Sequence, residues 1–351
     1  MQTAPDFKLR STLVLTGLSV QEASNFLKHQ AEHHNLKLTK DEEGNLSCAT
    51  PFANVFLKVS GDTPEIVVQA ASQDMLYLVQ EDLSEHLGEL DAERAGKMQW
   101  SSIFTPGSYP PNFRLAEVIN VRRVNSSYNR VRIKTDGLSD FTSGGMHFRL
   151  LIPASGALKA VAYPTIGENG QTVWPKGEDA LHRPVYTTRR VNIEQGWLEF
   201  DVFRHAGGRA TEWSEKAVPG TEVGLMGPGG GTLPKASRIL LAGDETALPA
   251  ISRIVEHLEA DACGTLLLLT DEATVPEDVA LPAGVSIRLV ERGSSRHPLL
   301  DAVKVSSLLQ ESPYIWFASE KSETKAARSY FETCDWFDPQ ASYIAAYWTA
   351  R

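Results

Sequence analysis

Arg183-Pro184-Val185-Tyr186-Thr187-Thr188-Arg189 and, a few residues on, His205-Ala206-Gly207-Gly208-Arg209-Ala210-Thr211-Glu212-Trp213 are the two stretches that decide the fold. The first has the branched and aromatic composition of a strand. The second has the form of a strand end, a glycine turn and a helix start. Two glycines before a helix let backbone N–H groups approach an anion closely, and the helix N-terminus adds a favourable dipole. Tyr186 and Thr187, well inside the strand, are expected to face a flat ring from one side. Taken singly, each stretch is equally well a hairpin strand or a surface turn. Taken together they suit a ligand with a flat ring and a pyrophosphate, as a flavin dinucleotide has.

Outward from these stretches, residues 112–233 consist of short alternating runs: 116–123, 129–135, 146–152, 183–191, 197–203 and 222–226. That pattern predicts a small antiparallel Greek-key β-barrel. Residues 153–179, rich in Gly and Pro, are long for a loop in a compact domain, and such loops are usually functional or mobile. From residue 234 to 351 the pattern changes. Strand-like runs at 238–242, 265–270, 286–290 and 314–318, the second continuously apolar, alternate with helical patterns at 248–260, 298–309 and 321–331. That predicts an α/β doubly wound sheet. The turn Gly243-Asp244-Glu245-Thr246-Ala247 would sit at the sheet's carboxyl edge, where such folds bind nucleotides. It is equally a plain helix cap by Asp244 or Thr246. Gly227 to Gly231 has no phosphate-loop lysine and reads as an interdomain turn.

Residues 1–98 predict a small α+β domain. Ser19-Val20-Gln21-Glu22 has the form of a capping box opening a helix, and a second helix starts near Ser72. His29 and His33 lie one helical turn apart, but without further ligands they read as a solvated face. Residues 99–111 form a linker whose aromatic residues are costly to leave wet. The chain is therefore multidomain: 1–98, the linker 99–111, 112–233 and 234–351.

Composition narrows the function. A net charge of −10 argues against a nucleic-acid partner. Three scattered cysteines argue against disulfides, a zinc site and an iron–sulfur cluster, and suit a cytoplasmic location. No apolar run reaches the ~18 residues of a membrane span.

The C-terminal two-thirds resembles the siderophore-interacting protein family, flavin-dependent ferric-chelate reductases of the ferredoxin-reductase-like superfamily. The resemblance is carried by Tyr186-Thr187, the segment Asp201 to Trp213, Gly227-Pro228-Gly229-Gly230, the string Ala242 to Ile251, Trp316-Phe317-Ala318 and the terminal Tyr347-Trp348. The N-terminal region resembles a small domain of undefined function found alone or fused to these reductases. What the resemblance implies is a ferric-siderophore reductase in which NADH or NADPH, or a ferredoxin in its place, reduces FAD, and FAD passes electrons to bound Fe(III). The cofactor does the redox chemistry, so no catalytic side chain is named, and no metal site in the protein. The runners-up are an electron donor to a protein partner and a non-catalytic ferric-chelate carrier.

The resemblance assigns cofactor contacts to Arg183, Tyr186, Thr187, Thr188, Arg189, Asp201, Phe203, His205, Gly207, Gly208, Ala210, Thr211 and Trp213. Asp244, Thr246 and Ala247 would lie at the nicotinamide slot. Arg149, Arg204 and Arg351 would face an anionic ferric siderophore. One position departs from the family: its arginine falls on Pro184. Either a bulge realigns Arg183, or Arg189 supplies the charge on the pyrophosphate. Asp271 and Glu272, at the end of the second strand, would bond an unmodified ribose and so favour NADH.

Overall fold

The computed structural model describes residues 7–33, 36–50, 52–59, 63–91, 93, 96–101, 104–153, 161–276 and 278–350. The chain forms two compact units. One comprises residues 1–113 together with 153–181, and the other residues 114–152 together with 182–351. The described part of 153–181, expected inside the barrel span, therefore belongs with the N-terminal residues.

In the first unit, strands β1 (Leu9–Val14), β2 (Leu38–Lys40), β3 (Leu46–Ala49), β4 (Ala53–Lys58) and β5 (Glu65–Ala70) form an antiparallel sheet in the order β1-β5-β4-β3-β2. Leu13, Ile66, Leu57 and Leu46 lie side by side across it, and helices α1 (Val20–His33) and α2 (Gln73–Leu90) cover that face with Phe26, Leu27, Leu76 and Leu83. The capping box closes as its residues require. The Ser19 N–H donates to the Glu22 carboxylate at 2.8 Å, and the Glu22 N–H to the Ser19 hydroxyl at 3.2 Å. A hairpin of β9 (Thr165–Ile166) and β10 (Thr172–Val173) packs here too. The Tyr77 hydroxyl lies 2.9 Å from that of Thr172, whose N–H donates to Glu81 at 2.8 Å.

The second unit holds two sheets. β6 (Phe113–Arg123), β7 (Tyr128–Lys134), β8 (His147–Leu151), β11 (Val185–Thr187), β12 (Arg190–Asn192), β13 (Trp197–Phe203) and β14 (Glu222–Gly229) take the order β11-β8-β14-β6-β7-β13-β12. Closure of this barrel is visible at two residues. The Thr188 N–H bonds Met146 at 2.9 Å on the β8 side, and the next N–H, of Arg189, bonds Glu199 at 2.7 Å on the β13 side. The α/β half has five parallel strands, β15 (Arg238–Asp244), β16 (Cys263–Leu269), β17 (Gly284–Leu289), β18 (Tyr314–Glu320) and β19 (Ser342–Trp348), in the order β17-β16-β15-β18-β19. The aromatic tail is thus a fifth strand. Order reverses between β15 and β18, the switch point at which doubly wound sheets bind ligands.

Candidate functional site

β11 is an edge strand, and its pairing fixes where its side chains go. Val185 lies opposite Arg149, Tyr186 opposite Phe148 and Thr187 opposite His147. Directly opposed residues share a face, so Tyr186 turns toward the barrel core with Phe148. Thr187 turns to the other face with His147, Val185 and Arg149. The two residues expected to meet a ring from one side therefore stand on opposite faces, and a ring touching both must lie along the strand's open edge. Antiparallel alternation aims the N–H and C=O of Val185 and Thr187 toward that edge. Register runs unbroken back to His182, which pairs with Ile152, while Pro184 accepts from the Leu150 N–H at 2.9 Å. A proline without an N–H is tolerated on an edge. No bulge realigns Arg183, which is exposed.

The glycine turn joins β13 to helix α4, for which the order of elements gives α3 at Asp140–Ser143 and α4 at Arg209–Lys216. Gly207 has φ +73° with open space beside it, and Gly208 is the helix N-cap without a side-chain cap bond. A Cβ on Gly208 would come within 2.6 Å of the His205 ring, which stacks on Phe203. Thr211 knits the turn: its hydroxyl accepts from the His205 N–H at 3.2 Å and donates to the Phe203 carbonyl at 3.4 Å. Ala210 is buried in the barrel core. Trp213 stacks on Phe200 at 6.5 Å and Tyr186 packs on the same ring at 5.3 Å. Phe200 therefore brings the two sequence stretches together. The uncapped helix start can receive a pyrophosphate. The Thr188 hydroxyl is buried without a hydrogen-bond partner, so it too awaits one. These features fit FAD.

The charged candidates divide. Arg189 is fully buried and bonds both carboxylate oxygens of Glu256, just past helix α5 (Leu248–Val255). Asp201 is buried opposite Arg130, which grips it through Nε at 2.6 Å and Nη2 at 2.8 Å. The third guanidinium nitrogen of Arg130 reaches Asp278 at 2.5 Å. Arg189 and Asp201 are thus committed within the protein and not presented to a phosphate. Arg204 bonds the Ser126 carbonyl and Glu215, both at 2.8 Å. Arg149 is exposed on β8, and Arg351 lies outside the described residues. One cation escaped the sequence reading: Arg209, exposed as the first residue of α4 beside the glycines. Burial and then the Arg209 charge lower His182, the residue before Arg183. The place of Arg209 directly after Gly207-Gly208 was the available signal.

At the switch point, Asp244 ends β15 and is buried. It accepts from the Thr246 N–H at 2.9 Å, the Thr246 hydroxyl at 2.6 Å, Ser319 at 3.0 Å and the Trp348 indole at 2.7 Å. The carboxylate organises the turn and holds the tail instead of opposing a ligand. Gly243 is required there, because a Cβ would lie 2.7 Å from that of Ala247. Asp271 accepts from the Thr274 N–H at 2.9 Å and hydroxyl at 2.8 Å. Its carboxylate caps a turn, which removes it from the case for NADH.

Comparison with known proteins agrees with this geometry. The family model of the siderophore-interacting FAD-binding domain matches residues 117–232, and that of the siderophore-interacting protein matches residues 236–351. Ferric vibriobactin reductase ViuB of Vibrio cholerae serotype O1 is 30% identical over 198 residues, covering 53% of this chain and 70% of its own. An NADPH-dependent ferric-chelate reductase of Escherichia coli K12 is 29% identical over 251 residues, covering 68% of this chain and 94% of its own. The siderophore-interacting protein SipS of Aeromonas hydrophila, 28% identical, superposes with a TM-score of 0.56 over 68% of this chain and 92% of its own. With a barrel edge and glycine turn that fit FAD and matches running through both halves of the second unit, the chain belongs to the siderophore-interacting protein family.

Proposed function

We infer that the protein is a ferric-siderophore reductase using FAD and NAD(P)H. The convergence of β11 and the glycine turn on Phe200 carries this reading, and the reductase names of the two relatives support it. FAD, when bound, would supply the redox chemistry that links two-electron oxidation of NAD(P)H to one-electron reduction of a ferric substrate, whose ligand holds Fe(II) less tightly. The chain's own residues bind and orient. Tyr186 and Thr187, with the open edge of β11, hold the ring. Gly207, Gly208 and the first N–H groups of α4 receive the pyrophosphate, with Arg209 and Arg183 as cations. Arg149, exposed beside Val185, offers an anionic ferric chelate a positive charge against the protein's net −10. Among the described residues no helix is long and apolar enough to cross a membrane. The nicotinamide donor and the free cysteines fit the cytoplasm.

The test begins with colour. Purified protein should be yellow and should release FAD. Anaerobic reduction with NADH, NADPH or a reduced ferredoxin identifies the donor, and a panel of ferric chelates added next should reoxidise the flavin. A protein that takes up no FAD is not this enzyme. A reduced flavin reoxidised only by a protein acceptor points instead to an electron donor for that partner.

A further inference from the structure

His147 opens β8 with its imidazole buried, and its two nitrogens meet partners from distant parts of the chain. Nδ1 lies 3.2 Å from the Thr187 hydroxyl, and Nε2 lies 3.0 Å from the Tyr347 hydroxyl on β19. The Tyr347 ring meets the imidazole edge-on, with centroids 5.5 Å apart. The floor of this seat is glycine. A Cβ on Gly230 would lie 2.5 Å from His147 Cδ2, and one on Gly231 would lie 2.6 Å from the Tyr343 ring. The glycine string Gly227 to Gly231, expected as an interdomain turn, thus also makes room for two rings.

The charged neighbour is Arg253 of α5, buried, which donates to the carbonyls of Thr188 and Phe141, each at 2.8 Å. Burial, and then the Arg253 charge, push His147 down to about 4. At neutral pH the ring therefore has one donor and one acceptor nitrogen. A phenol is a better proton donor than an aliphatic hydroxyl. In the tautomer this favours, Tyr347 donates to Nε2 and Nδ1–H donates to Thr187. The Thr187 oxygen then accepts from within the protein, and its own hydrogen is left for a ligand.

We propose that His147 is a positioning residue that makes Thr187 a hydrogen-bond donor to the bound flavin ring, with Tyr347 fixing the imidazole tautomer from the C-terminal strand. This rests on the FAD reading above. The redox-active edge of an oxidised flavin offers an unprotonated nitrogen as acceptor, and two-electron reduction turns it into N–H. A donor at Thr187 therefore binds the oxidised ring better than the reduced one.

The experiment is a dye-coupled reductive titration of the full-chain holoprotein, without nicotinamide or ferric chelate. Loss of the donor in Thr187→Val or His147→Leu should weaken oxidised-FAD binding about tenfold relative to reduced, raising the two-electron midpoint by about 30 mV. His147→Asn, whose amide replaces the Nδ1 donor, should restore most of the wild-type value. In the Thr187→Val background His147→Leu should add nothing, because the histidine acts only through that hydroxyl. An unmoved midpoint in His147→Leu, or an equal shift with Thr187 already absent, overturns the proposal. Should that variant not fold, Tyr347→Phe decides, since a midpoint indifferent to the tautomer-fixing hydroxyl is also fatal. Wild-type protein that takes up no FAD would fail the flavin reading instead.

Discussion

Arg189, in the link between β11 and β12, and Glu256, just past α5, form an ion pair in which the guanidinium has no exposed surface. It ties the barrel to the first helix of the α/β half. Burial works against the Glu256 charge, but the hydrogen bond and charge of Arg189 and the charge of Arg190 outweigh it and lower the carboxyl. Glu256→Gln leaves a buried cation uncompensated and should cost about 3 kcal/mol, while Arg189→Met should cost less. Urea unfolding of the two apo variants at pH 7.5 checks the order. Because the folded carboxyl titrates lower than the unfolded one, the pair's stabilisation is fully present above the unfolded carboxyl's range. It is lost as pH falls through the folded value, and Glu256→Gln should flatten that acid limb.

With Arg189 paired to Glu256, Arg209 and Arg183 are the proposed cations for a pyrophosphate. Arg209→Ala should raise the FAD dissociation constant about tenfold, as loss of a charge-assisted hydrogen bond of about 1.5 kcal/mol implies. It should leave unfolding of the apoprotein unchanged, because the side chain is exposed. Arg183→Ala should also weaken FAD. Fluorescence titration of the apoprotein with FAD compares them, and undiminished affinity in both variants would place the charge elsewhere.

His147 carries a pH signature of its own. Its folded value of about 4 lies below the 6.5 of an unperturbed imidazole. Between those values the unfolded chain binds a proton that the native protein refuses, so native stability falls as pH drops from about 6.5 to about 4. The full loss is about 3 kcal/mol. His147→Asn removes the titrating group and should flatten this interval. Denaturant unfolding at pH 7.5, 5.5 and 4.5 measures the difference, and parallel profiles would contradict the burial of that ring.

Gly230 tests the ring's seat by steric means. It has φ +74°, and a methyl group would lie 2.5 Å from the imidazole. Gly230→Ala should therefore destabilise the protein by about 2 kcal/mol through strain and overpacking. Gly170→Ala is the control, since φ is +78° there but nothing lies within 4 Å. Thermal unfolding should separate the two, with Gly230→Ala the lower melting.

Much of the fold was legible because it is written in local periodicity and local hydrogen bonding. Ser19 and Glu22 satisfy each other three residues apart, and a run such as Ile239 to Ala242 is apolar throughout because both faces of a parallel strand are covered. Gly207 and Gly208 announce a turn because the first takes a positive φ and the second has no room for a Cβ beside His205. Other features depend on who lies opposite. Tyr186 and Thr187 were expected on one side of a ring, but pairing with Phe148 and His147 sends them to opposite faces. Strand β1 and the end strand β19 went unpredicted because short or terminal strands gain their identity from the neighbour that pairs with them.

The amino-acid sequence by itself determined the barrel, the doubly wound sheet and the glycine turn that suits a pyrophosphate, since backbone preference and hydrophobic spacing act over a few residues. Tertiary structure alone decided which charges remain available to a ligand. Arg189 meets a carboxylate 67 positions away, and Tyr347 reaches a histidine 200 positions away. Such pairings exist only once packing has removed water and brought the strands together, so no local pattern encodes them.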